Sequence, residues 1–137
     1  MNINILNGNV HFGQVLITKE ISRDEMQNRY PKAEIWDVKT GSFWLYFHNI
    51  ALDELIWQVS VCYFHQALKM IVLEFRHSSE KPFSWEDWSE ESELAQLKRY
   101  QNWIAEHIGT QTQFDWGKIE ATYNPKDGTS KIVLSYH

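Results

Sequence analysis

Cysteine is nearly missing from this chain: Cys62 is the only one among 137 residues. No intramolecular disulfide can form, and a cysteine-rich zinc site has no starting point. That composition is compatible with a reducing compartment, and the cytoplasm is the expected location. Proline is scarce and glycine modest, at three and six. No linker rich in either divides the chain, so one domain over residues 1–137 is expected. Basic residues are outnumbered, 13 Lys and Arg against 18 Asp and Glu, for a formal net charge of −5. Phosphate contacts need clustered Lys and Arg, so nucleic acid is not an expected partner, and neither is an anionic membrane. No uncharged apolar run approaches the ~20 residues that span a bilayer. The amino terminus "MNINILNGNVHFG" lacks the basic and apolar regions of a signal peptide, so none is expected. A Walker lysine loop, GxGxxG, GxSxG and HExxH are all absent.

Aromatic residues, by contrast, are plentiful. Seven Trp, six Tyr and seven Phe make 15% of the chain, enough to fill a core and leave a surplus for a groove or a contact surface. "VHFGQVLITK" (Val10 to Lys19) is rich in β-branched and aromatic residues and reads as a strand. In "ISRDEMQNRYP" Ser22 and Glu25 have the spacing of a capping box, and Ile21 and Met26 that of a hydrophobic staple. Met26 and Tyr30 share a face of that short helix, and Pro31 stops it. From Ala33 to His77 the pattern has period two. "AEIWDVK" and "SFWLYFHNI" flank the Thr40-Gly41 turn, "ELIWQVSVCYF" follows, and "ALKMIVLEF" is apolar on both faces like a middle strand covered on both sides. Short links imply an antiparallel meander. At the end, "FDWGKIEATY" and "SKIVLSY" flank the turn-formers of "NPKDGT", and a switch of apolar parity near Gly117 predicts a bulge or strand entry.

One stretch combines both peculiarities of composition. "SWEDWSEESE" (Ser84 to Glu93) holds Trp85 and Trp88 with Glu86, Asp87, Glu90, Glu91 and Glu93, and no basic side chain. Ser89 is a good N-cap, and Leu94, Leu97, Tyr100 or Gln101, Ile104 and Ile108 recur at helical period up to a C-cap at Gly109. Carboxylates in a first helical turn are favoured by about 0.3–1 kcal/mol each, which accounts for Glu90, Glu91 and Glu93. It does not account for Glu86 and Asp87 or for the two indoles before the cap. Either the indoles plug an open end of the core, or they anchor a partner whose Lys and Arg face the surrounding acid.

The resulting fold class is α+β: an antiparallel sheet in the order strand, helix, four strands, helix, two strands, with two helices packed on it, the longer over about residues 89–108. Chemistry is sparse on that frame. Cys62 and His65 are too isolated for a metal site, and Cys62 on an apolar strand reads as a small hydrophobe. Asp53-Glu54 reads as a solvated turn. No cofactor and no catalysis are expected. The open alternative is an enzyme or small-ligand binder using a cleft between sheet and helix, drawing on His48, Asp53, Glu54 and His65.

The capped helix "SRDE", the Trp-rich meander, "WEDWSEESE" and the closing "WGKIEATYNPKDGTSKIVLSY" together resemble the small bacterial immunity proteins of polymorphic and contact-dependent growth-inhibition toxin systems. The resemblance runs over the whole chain and rests on its style rather than on a motif. It implies a cytoplasmic binding protein that occludes the active site of a toxin domain, often a basic nuclease; separately from the resemblance, a monomer or homodimer is expected. The acidic aromatic stretch, Trp85, Glu86, Asp87, Trp88, Glu90, Glu91 and Glu93, is then the expected contact surface.

Overall fold

The computed structural model describes residues 1–137. Three short strands, β1 (Asn2–Ile3), β2 (Val10–Phe12) and β3 (Val15–Ile17), form a small sheet of their own. Helix α1 (Arg23–Arg29) leads to β4 (Glu34–Asp37), β5 (Ser42–Leu52), β6 (Leu55–Phe64) and β7 (Ala67–His77). Helix α2 (Glu90–His107) precedes β8 (Gln113–Phe114), β9 (Gly117–Asn124) and β10 (Thr129–Tyr136). The last seven strands make one antiparallel sheet in the order β4-β5-β6-β7-β10-β9-β8. The fold is α+β, with two helices on an antiparallel sheet.

Two-residue turns weld the meander. Asp53-Glu54 joins β5 to β6 and His65-Gln66 joins β6 to β7. The leading residue of each adopts positive φ, 54° at Asp53 and 55° at His65, as tight hairpins of this length require. Because the links are short, alternation holds across neighbours. Phe43, Leu45 and Phe47 of β5, Trp57, Val59, Val61 and Tyr63 of β6, Ile71, Leu73 and Phe75 of β7, and Ile132 and Leu134 of β10 share one buried face. Tyr100, Trp103 and Ile104 of α2, Met26 of α1 and Val10, Phe12 and Ile17 of the small sheet close over it. Trp57 is only 1% exposed, with its ring 4.9 Å from that of Phe75 and 5.1 Å from that of Trp103. Each such side chain stabilises the fold by roughly 1.5–3 kcal/mol, and truncating Trp57 to alanine would cost about 3–5 kcal/mol.

Four local expectations change. The stretch Val10 to Lys19 is two strands: Gly13, at φ +55°, turns the chain, and Val10 pairs with Ile17. Both arms keep alternate burial, so period alone could not separate one strand from a hairpin. Strand β7 is central but helix-covered on one side only, since both helices pack on the face of Leu73 and Phe75. Its Val72 is flanked instead by its cross-strand partners Ser60 and Val133. Leu94 is 43% exposed rather than in the α2 contact face; the buried stripe starts at Tyr100. At α1, Ser22 accepts from the Glu25 amide at 3.2 Å, while the Glu25 carboxylate turns to Arg29. The reciprocal capping box forms in α2, between Ser89 and Ser92.

Gly117 marks a strand entry. It begins β9 directly after the turn from β8, and a Cβ at this position would collide with the Ser135 carbonyl oxygen. Only glycine fits where the two backbones come this close.

Candidate functional site: an acidic aromatic lip over an open sheet face

The chain from β7 to α2 is held at both ends. At its start, Arg76 donates to the Glu80 backbone carbonyl at 2.9 Å, and the Glu80 carboxylate receives both terminal nitrogens of Arg99 at 2.8 and 3.2 Å. The Arg99 hydrogen bond holds the Glu80 carboxyl below the usual glutamate range, with support from the His77 amide and against a partial burial cost. At its end, the Ser89–Ser92 capping box opens α2, and Gln96 of that helix donates to the Phe75 carbonyl at 2.7 Å.

Between these anchors lies a 3-10 turn, Trp85–Asp87, whose preceding Ser84 hydroxyl accepts from the Glu86 amide. The two indoles part company here. Trp85 is 63% exposed and meets the exposed Phe83 edge-to-face at 4.9 Å. Trp88 is 38% exposed, and its Nε1 donates to the Gly128 carbonyl at 2.7 Å. The carboxylates divide in the same way. Glu86, Asp87, Glu90 and Glu91 are exposed. Glu93 turns inward: its Oε1 accepts from the Ser130 amide at 2.9 Å, and its backbone carbonyl accepts from the Ser130 hydroxyl at 2.7 Å. None of the five takes part in an ion pair.

This lip overhangs a cleft of about 630 Å³ bounded by the first turns of α2 and the uncovered face of β6, β7 and β10. Gln58, Glu74, Asp87, Trp88 and Glu93 are among its walls. Burial pushes the Glu74 carboxyl above its usual range; Lys131 opposes that rise, and Glu93 and Asp127 add to it.

Beyond the cleft the same sheet face carries aromatic rings. Trp36 of β4 lies opposite Trp44 of β5. Trp44 and Tyr46 run nearly parallel with centroids 6.2 Å apart, and Tyr46 and His48 follow at 5.9 Å. His48 closes the row between Glu34, 2.7 Å from Nε2, and Gln58, 3.2 Å from Nδ1. Gln58 also clamps Asn49, which sits at φ 55° in a bulge of β5. Sequence reasoning missed Phe83, Glu74 and this row. The parity of "SFWLYFHNI" carried the signal for the row, since Trp44, Tyr46 and His48 alternate with the buried Phe43, Leu45 and Phe47.

The residues of the enzyme alternative do not converge. Asp53-Glu54 and His65 occupy turns at opposite ends of the ten-residue β6, and none of them lines the cleft. No three His, Cys, Asp or Glu side chains are placed to hold a metal ion. No helix is long and apolar enough to cross a membrane.

No family model matches the chain, and no curated protein does. A solved structure does. A chain in the complex of Rhs1-CT with its cognate immunity protein RhsI1 superposes with a TM-score of 0.63, covering 98% of this chain and 86% of that one at 15% identity. The likeness is one of fold.

Proposed function

We propose that this protein is a non-catalytic immunity-type protein that binds a basic, nuclease-like toxin domain in the cytoplasm and occludes its active site. The observation that carries this reading is the lip itself: an exposed Phe83–Trp85 pair beside four exposed carboxylates that no internal cation neutralises. Aromatic anchors supply desolvated contact area, and the surrounding charge steers and selects a cationic partner. An acidic surface also competes directly with phosphate for a nuclease groove. The fold shared with a chain of the complex between Rhs1-CT and its cognate immunity protein RhsI1 supports the reading of a protein-binding immunity type.

The test is direct. The candidate toxin domain encoded beside this gene is purified as a catalytically inactive form and its affinity for this protein is measured. Trp85→Ala and a variant with Glu86, Asp87, Glu90 and Glu91 reversed to lysine should each weaken binding at least about tenfold, the scale of one interface hot spot or of several steering charges. Wild-type affinity in both variants removes the lip from the interface. Failure of the wild-type protein to bind or inhibit any neighbouring toxin domain removes the reading.

A further inference from the structure

The cleft beneath the lip is unequal in charge along its length. At the β7 end, the Glu80 carboxylate is taken up by Arg99 and its backbone carbonyl accepts from Arg76, which makes no ion pair, and Arg99 also lies over the Phe75 ring. At the other end Glu74 stands on the uncovered face of β7, opposite Gln58 in register. It makes no ion pair and receives no hydrogen bond. The cation facing it is Lys131, whose Nζ is 4.0 Å from Asp127 and therefore shared. Glu93 and Asp127 add negative charge, Lys81 stands exposed at the rim, and the Trp88 ring is pinned in place by Gly128. A half-buried carboxylate that opens on a cleft and shares its one facing cation with Asp127 is placed to take a second cation.

We propose that this end of the cleft is a receptor for one basic side chain, arginine in preference to lysine, presented by the protein partner, with Glu74 as its counter-ion and Trp88 as its wall. The inference rests on the binding-protein reading and gives it a point of entry. Arginine is favoured because its flat guanidinium meets a carboxylate through two donors and stacks on an indole, which a point-charged ammonium does neither of as well. The guanidinium sits among Glu74, Glu93 and Asp87 and turns Lys131 fully towards Asp127.

The experiment uses the whole chain and needs no toxin. N-acetyl-arginine amide and the uncharged isostere N-acetyl-citrulline amide are titrated in turn, following the Trp88 indole N–H by 15N NMR. The arginine probe should shift that signal saturably, with a Kd on the order of 1–10 mM for so small a contact. Citrulline should not. Glu74→Gln should weaken the arginine response about tenfold, as loss of one charge-assisted contact does. An equal response to citrulline, no saturation with arginine, or an undiminished response in Glu74→Gln overturns the proposal. The citrulline comparison needs no variant and survives any effect of the substitution on folding. A purified toxin domain is the second arm. If it binds Glu74→Gln as well as wild type, the receptor role falls while the functional reading stands; if arginine binds but no toxin domain does, the reverse holds.

Discussion

The Trp88 indole N–H donates to the Gly128 carbonyl across 2.7 Å, and the ring lies so close that a Cβ on Gly128 would come within 3.2 Å of it. This contact spans 40 residues and ties the lip to the turn between β9 and β10. Trp85, three positions earlier, has no such tie. Trp88→Phe should therefore lower stability by about 1 kcal/mol through the lost hydrogen bond, and Gly128→Ala should add strain at a φ of +72°. Trp85→Ala should change stability by less than about 0.5 kcal/mol, as surface substitutions do. Urea denaturation of the three variants checks this, and an equal loss in Trp85→Ala and Trp88→Phe would contradict it.

The five carboxylates of the lip should also separate by role. Glu93→Ala leaves the Ser130 amide without its acceptor and should cost about 1–3 kcal/mol. Glu86→Ala and Asp87→Ala should be nearly silent in stability while slowing association with a basic partner. Stopped-flow rates at low and high salt would show the difference, because steering by exposed charge fades with ionic strength.

Glu74 links acidity to stability. Burial first, then Glu93 and Asp127, raise its pKa above the unfolded value against the pull of Lys131. The folded state thus holds that proton more tightly than the unfolded chain. The fold is favoured by this group at acid pH, and the advantage is lost as pH rises through the folded value. Glu74→Gln should therefore raise stability at pH 7 by on the order of 1 kcal/mol for relief of one desolvated group, seen as a higher thermal midpoint. The gain should vanish as pH falls through the ordinary glutamate range. A midpoint that drops at pH 7 would mean that the Lys131 interaction outweighs burial.

Trp116 fastens the amino-terminal segment. Its Nε1 donates to the Ile5 carbonyl at 2.8 Å, its ring packs on Tyr136, and a Cβ on Gly8 would lie 2.5 Å from it. Trp116→Ala should cost about 3–5 kcal/mol, and amide exchange should rise first over residues 4–9. Gly117→Ala should be at least as damaging, because the Ser135 backbone it would strike has no rotamer in which to retreat.

What could be read without coordinates was what neighbours along the chain decide. The start of α2 at Ser89, its glycine stop with Gly109 at φ +108°, and the turn in which Asn124 accepts from Lys126 and Asp127 from Thr129 are all local contacts. Strand alternation likewise announces two faces for each strand of the meander. Parity cannot say which face receives the helices, because the route taken by α2 between β7 and β8 decides that. The uncovered row from Trp36 to His48 is a consequence of that route.

The amino-acid sequence by itself determined the two helices, the antiparallel meander from β4 to β7, the closing hairpin and the concentration of acid ahead of α2, since capping, turn chemistry and period-two burial act over a few residues. Tertiary structure alone decided that Trp85 faces water while Trp88 is tied to Gly128, that Glu93 turns in to Ser130, and that Glu74 stands in a cleft facing a lysine shared with Asp127. Each of those outcomes depends on groups tens of residues away, brought within hydrogen-bonding or Coulomb range only once the sheet has closed.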